Sequence, residues 1–212
     1  SLLDISHTLL TMAYARARAE LPAQVSVEAL HWDFRHIVRY SVLHRAAALR
    51  RRRCYVLLGG TLANVDSEVL FIRDGPGQSQ AGDFAVVDFQ LVWGDRRDPE
   101  ALRAADPVLR QGPPELHARW CSGPLRRYGQ DLEDVKVGVD LMADGAIEGS
   151  YELDFYADAV KGNAVHRFHL FRVRRYDLAP LLATFARLGW ETERCWTYGP
   201  AGKAAVALLR RV

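Results

Sequence analysis

Cysteine is scarce and unpaired: Cys54, Cys121 and Cys195 are the only three, widely spaced and without a Cys-x-x-Cys motif. A disulfide framework and a thiolate-built zinc or redox site are thereby excluded, and a reducing cytoplasm is the expected setting. Long apolar runs are lacking too, none approaching the roughly 18 residues that a membrane-spanning helix needs, and no signal-peptide pattern is present. Neither sign of charge is in excess, since 28 Lys and Arg stand against 26 Asp and Glu for a formal net of +2. Composition therefore argues for no nucleic-acid partner. The one cationic run, Arg50-Arg51-Arg52-Arg53, ends a helical pattern, where cations suit the C-terminal dipole.

Several catalytic signatures are missing as well. Ser150 has no Gly-x-Ser-x-Gly frame and Cys121 has no nearby base, so nucleophilic catalysis finds no support. No Gly-x-Gly-x-x-Gly opens a helix, which weighs against a nicotinamide enzyme. His166 and His169 lie three apart in a strand-like segment and so on opposite faces, which a shared metal would not tolerate. Internal repeats and low-complexity linkers are absent.

What is present is ample material for a core: 49% hydrophobic and 10% aromatic residues over 212 positions, enough for one large domain or a domain with an appended lobe. The chain is organised around Cys54-Tyr55-Val56-Leu57-Leu58, an apolar run that stops at Gly59-Gly60 and opens into Thr61-Leu62-Ala63-Asn64. An unbroken apolar strand suits a parallel sheet covered on both faces. Ligands of open α/β sheets bind beyond the carboxyl ends of the strands, where glycine lets backbone approach them. Thr61 and Asn64 would then overhang a crevice. The same residues also spell a plain strand-to-helix turn with Asn64 as its N-cap.

Around this stretch, Leu2 to Ser6 reads as a strand and His7 to Glu20 as a helix closed by Pro22. Val25 to Leu30 is a second strand, Phe34 to Arg53 a long helix, Val65 to Arg73 a shorter one, and Phe84 to Val92 a fourth strand. This β-α-β-α-β-α-β order predicts right-handed crossovers and a parallel sheet. The pattern then changes. Asp98 to Leu109 is helical, a further helical patch runs through Trp120 and Leu125, and Val135 to Met142, Tyr151 to Val160 and Phe168 to Val173 give antiparallel signals. Arg172, Arg174 and Arg175 on the last of these read as a solvated strand face, with an anion site as the sharper alternative. Leu178 to Leu188 returns to an amphipathic helix, and Glu191 to Tyr198 with Ala204 to Leu209 predict a terminal hairpin. Trp190 reads as a core residue.

Taken in order, Leu3-Asp4-Ile5-Ser6, Trp32-Asp33-Phe34 and Leu58-Gly59-Gly60-Thr61-Leu62-Ala63-Asn64, with Gly82-Asp83 before the next strand, resemble class I S-adenosylmethionine-dependent methyltransferases. Within that group they resemble the histidine-specific methyltransferase family of ergothioneine synthesis. The resemblance covers residues 1 to about 95 well and the remainder loosely. It implies an α/β fold: a Rossmann-like, mostly parallel sheet with a C-terminal antiparallel hairpin, built from residues 1–95 and 177–212, and an inserted α+β substrate lobe over residues 96–176. It implies S-adenosylmethionine as cofactor and a small-molecule substrate. Asp4, with Ile5 beside it, would accept from the ribose hydroxyls. Asp33 would accept from the adenine amino group while Phe34 lies against the ring. Gly59 and Gly60 would leave room for the methionine part, and Thr61, Asn64 and Tyr176 would face the acceptor. The plainer readings are a helix N-terminal acid for Asp4 and a capping Asp beside a core Phe for Asp33.

Two departures shape these expectations. The family's first strand and its Gly-x-Gly-type loop have no counterpart ahead of Leu2, which predicts an incomplete cofactor wall and a sheet edge that a second copy or a partner segment would cover. Members that bind histidine carry a glutamate and a serine where this chain has Phe171 and Val173, so an amino-acid-like acceptor other than histidine is expected. Methyl transfer needs alignment more than a strong acid or base, which fits the lack of a dyad or triad. Asp88 and Tyr176 are the candidates to orient or deprotonate an acceptor. The competing expectation is a methyltransferase-like remnant without cofactor, serving as a binding or assembly module.

Overall fold

The computed structural model describes residues 2–4, 6–25, 27–31, 33, 52–75, 79–95, 97–128, 132–142 and 146–212. Ile5, Trp32, Phe34 and the helical pattern over 34–51 lie outside them. Strand β1 (Leu2–Asp4) pairs in parallel with β2 (Ala29–His31), Asp4 standing opposite His31. Between them runs helix α1 (His7–Glu20), whose first turn is capped where Ser6 Oγ accepts from the Leu9 amide at 3.3 Å. The second strand is thus shorter than the alternation over Val25 to Leu30 predicts and sits toward its end.

A second parallel pair joins β3 (Cys54–Leu57) to β4 (Phe84–Gln90), with Leu57 opposite Val87. The expected helix over Val65 to Arg73 starts three residues late. A tight 3-10 turn covers Thr61–Asn64, Val65 is extended and buried, and helix α2 (Glu68–Asp74) starts only after Ser67, whose Oγ accepts from the Leu70 amide at 3.4 Å. Ser67 and not Asn64 is therefore the N-cap, because burying Val65 forces one extended residue into the path. Farther on, the expected single helix over Asp98 to Leu109 is two, α3 (Pro99–Ala105) and α4 (Pro107–Gln111). Pro107 has no amide to continue the first helix, and Asp106 caps the second through the Val108 amide at 2.9 Å. Helix α5 (Glu115–Tyr128) follows.

The terminal strands β8 (Trp190–Tyr198) and β9 (Ala204–Arg211) form the expected antiparallel hairpin, and β9 pairs antiparallel with β4, giving the order β3-β4-β9-β8. Among the described residues the expected mostly parallel sheet with a C-terminal antiparallel hairpin is two sheets, the parallel pair β1-β2 and the order β3-β4-β9-β8, in which β9 runs antiparallel to both of its neighbours. One face of that sheet is dry. Ala85, Val87, Phe89, Ala205, Ala207 and Leu209 pack there against Leu62 of the turn, Phe71 and Ile72 of α2, and Leu181 and Phe185 of helix α6 (Leu178–Arg187). Trp190 is buried in this core, as its sequence position predicts.

A third sheet is antiparallel throughout: β5 (Glu133–Met142), β6 (Tyr151–Lys161) and β7 (Ala164–Arg175), paired in that order. Alternation along β6 buries Tyr151, Leu153, Phe155, Ala157 and Ala159, and the first three pack with Leu102 of α3. The opposite face is polar, with Glu152, Asp154, Tyr156 and Asp158 set across from Arg174, Arg172, His169 and Arg167. The chain leaves β7 beside β4: the Tyr176 amide donates to Gln90 O and the Val92 amide to Tyr176 O, each at 3.0 Å. This short parallel bridge ties the third sheet to the second and brings Arg174 and Tyr176 up against the turn that follows β3.

Candidate functional site

The apolar strand β3 ends at Leu57, and the chain then needs two consecutive left-handed residues, Gly59 at φ +77° and Gly60 at φ +71°. Any side chain there would be strained. A Cβ built on either glycine would meet nothing within 4 Å, so the turn faces open space. Asp88 on the neighbouring strand fixes it. Its carboxylate accepts the Gly59 amide on Oδ2 and the Gly60 amide on Oδ1, each at 3.0 Å. Two successive amides converging on one carboxylate satisfy the donors that a strand end otherwise leaves to water.

Past the glycines, the Thr61 hydroxyl donates back to the Leu58 carbonyl at 2.8 Å and the Ala63 amide to the Gly60 carbonyl at 2.9 Å. Leu62 and Ala63 are buried and pin the turn to the core, which leaves Asn64 exposed at its end. Gly59, Gly60, Thr61 and Asn64 thus occupy one turn at the carboxyl end of a parallel strand. A cleft of ≈ 210 Å³ at the carboxyl end of β4 is lined by Val92, Asp95 and Arg97 together with Glu148, Asp177 and Pro180.

Tyr176 stands behind this turn. It is fully buried, and its hydroxyl donates to Glu68 Oε1 at 2.9 Å and lies 3.3 Å from the Leu62 carbonyl. Burial, together with the negative Glu68 carboxylate, pushes its phenol well above the ordinary tyrosine range. A phenol so placed braces the turn from below and is closed off from solvent. Arg174 lies beside it, 5% exposed, contrary to the solvated strand face that its sequence context predicts; Arg172 keeps to that expectation. The Arg174 Nε donates to Glu152 Oε1 at 3.0 Å and lies 3.2 Å from Glu68 Oε1. Its other nitrogens reach the Val65 and Asp66 carbonyls. Burial alone would lower the Arg174 pKa, but the two carboxylates outweigh it and the guanidinium is held charged.

The remaining candidates belong to the smaller sheet. Asp4 closes β1, and Asp33 follows β2 by two residues, so both sit at the carboxyl ends of adjacent parallel strands. Ile5 and Phe34 lie outside the described residues. No group of three or more metal-ligating side chains occurs among the described residues. The residues that the sequence underrated are Glu68, Glu152 and Arg174, which are charged and would read as surface. Asp88 was legible as a strand-end acid, yet its grip on the glycine amides comes from the register of β3 on β4.

A mixed α/β chain with a carboxylate-locked glycine turn at the end of a parallel strand is the class that fold and site define. No protein-family model matches it, and no curated relative does. Among solved structures it is similar to an S-adenosylmethionine-dependent methyltransferase from Clostridium acetobutylicum, at 9% identity and a TM-score of 0.46 over 99% of this chain and 73% of that one. It is similar to the CcbJ methyltransferase from Streptomyces caelestis at 12% identity and a TM-score of 0.42, over 99% and 78% of the two chains. For S-adenosylmethionine-bound CalS10, an amino pentose methyltransferase from Micromonospora echinaspora, the identity is 15% and the TM-score 0.39, over 99% and 72%. At these values the likeness decides neither fold nor activity.

Proposed function

We propose that the chain is the core of an S-adenosylmethionine-dependent methyltransferase that acts on a small molecule, with an amino-acid-like acceptor other than histidine. The observation that carries this reading is the Gly59-Gly60 turn: two left-handed glycines with open space at both Cβ positions, locked by Asp88 at the carboxyl end of a parallel strand pair. It is supported by the order of parts that the sequence resemblance implies and by the antiparallel β8–β9 hairpin beside β4.

In this reading Asp4, Ile5, Asp33 and Phe34 hold the nucleoside end, and Gly59 and Gly60 leave backbone room for the amino-acid end. The cofactor, when bound, supplies an electrophilic methyl group on sulfur. What the chain contributes is position. Asp88 keeps both glycine amides fixed, Thr61 and Asn64 present an oxygen and an amide toward the acceptor, and Tyr176 acts indirectly by holding Leu62 and Glu68 in place. Residues 96–176 cover the acceptor side as a lobe.

Isothermal titration of S-adenosylmethionine into the full native chain and into Asp4→Ala tests the proposal. Saturable heat with the native chain, lost in Asp4→Ala, is expected. No heat from a folded native chain overturns the enzyme reading and leaves the non-catalytic binding module in its place.

A further inference from the structure

The geometry points to Arg174 as the positioning residue for the acceptor side of the site, acting through the backbone that follows Asn64. This rests on the methyltransferase reading and divides its central turn between two anchors. Asp88 grips the entry, at the Gly59 and Gly60 amides. Arg174 grips the exit, donating to the Val65 carbonyl and lying 3.4 Å from the Asp66 carbonyl. Carbonyls at the end of a helical turn lack intrahelical partners, so an outside donor decides where they lie. Only a guanidinium presents donors in a planar fork that can meet two carbonyls and two carboxylates at once; an ammonium is a point charge.

Stability alone does not explain the arrangement. Glu68 and Glu152 bring two carboxylates to one guanidinium, and Glu68 Oε2 is buried without a partner among the described residues. Buried ionic groups of this kind are often replaceable by apolar ones at no loss of stability. What an apolar replacement would not reproduce is the fixed position of Val65 and Asp66, and with it that of Asn64 one residue earlier. Because Arg174 and Glu152 belong to the third sheet, they make that sheet the reference frame for Asn64, independently of the Asp88 anchor.

Hydrogen exchange on the full native chain, combined with S-adenosylmethionine titration, tests this with Arg174→Met, which keeps much of the volume and none of the donors. Amide exchange across residues 61–66 should rise at least about tenfold, while Gly59, Gly60 and the β5–β7 ladder change by less than about twofold and the S-adenosylmethionine Kd by less than about threefold. Unchanged exchange over 61–66, or an equal rise everywhere, overturns the inference. A native chain that binds no S-adenosylmethionine overturns the methyltransferase reading instead, whatever the exchange shows. Should Arg174→Met fail to fold, Arg174→Lys keeps the buried charge and carries the same two outcomes.

Discussion

Replacing Asp88 by Asn changes one atom and asks whether the glycine turn depends on a carboxylate. Both Asp88 oxygens accept, from the Gly59 and Gly60 amides, each at 3.0 Å. The amide side chain of Asn keeps one acceptor and turns an NH2 toward the other backbone N–H, so one bond is lost and a donor faces a donor. A hydrogen bond to a charged group contributes about 1.5–3 kcal/mol. Gly59 is exposed, so water takes up part of the loss and the lower end applies. The expected cost is about 1.5 kcal/mol for Asp88→Asn and about 3 kcal/mol for Asp88→Ala, where both bonds go. In a chain of this size that corresponds to a fall in Tm of roughly 3–6 °C for Asn and about twice that for Ala. Exchange of the Gly59 and Gly60 amides should accelerate in both variants, and under the proposed methyltransferase function the S-adenosylmethionine Kd should rise at least about tenfold, since the backbone room is no longer preformed. A Tm shift below about 1 °C in both variants, with the two amides still protected, would refute the claim that Asp88 holds the turn.

The buried phenols make a second prediction. Tyr151 and Tyr176 are both raised above the ordinary value of 10.0, by burial first and then by Asp106 and Glu68 respectively. The folded state therefore keeps these protons longer than the unfolded chain does. Their stabilising effect is intact below about pH 10 and is lost as pH rises beyond it. Read at 295 nm as the difference between the native chain and its Tyr151→Phe and Tyr176→Phe variants, these two phenols should ionise only together with unfolding; their ionisation with the far-UV spectrum intact would contradict it. In the third sheet, a Cβ on Gly138 would overlap the Tyr156 ring. Gly138→Ala should cost about 1–3 kcal/mol by overpacking, and Tyr156→Ser in the same chain should recover most of it; an additive double variant would show that the ring is not the obstacle.

The sequence was most legible where one local rule decided the outcome. The terminal hairpin, the antiparallel segments and α6 all follow from periodicity and punctuation, and Gly59-Gly60 marks the end of β3 because two left-handed residues in succession demand glycine. Boundaries failed where a distant contact overruled the local pattern. Val65 suits the helix that the pattern predicts, but the core takes its side chain and moves the cap to Ser67. The charged cluster was least visible of all. Arg174 alternates with Val173 and Arg175 as a half-exposed strand would, and nothing in that spacing shows that Val65 and Asp66, more than a hundred positions earlier, supply the carbonyls that bury it.

That long reach also bears on how the turn divides its work. A local cap such as Ser67 forms as soon as its helix does, because donor and acceptor are three residues apart. The Asp88 anchor needs β3 and β4 in register, and the Arg174 anchor needs the third sheet already docked through the Gln90–Tyr176 and Val92–Tyr176 hydrogen bonds. Loosening the docking therefore frees the exit of the turn, with Asn64, while the entry at Gly59 and Gly60 stays held by Asp88. Closing a carbonyl–guanidinium contact over so long a loop costs chain entropy that only the completed fold repays. The exit of the turn, at Asn64 to Asp66, is for that reason the part whose order depends most on tertiary structure.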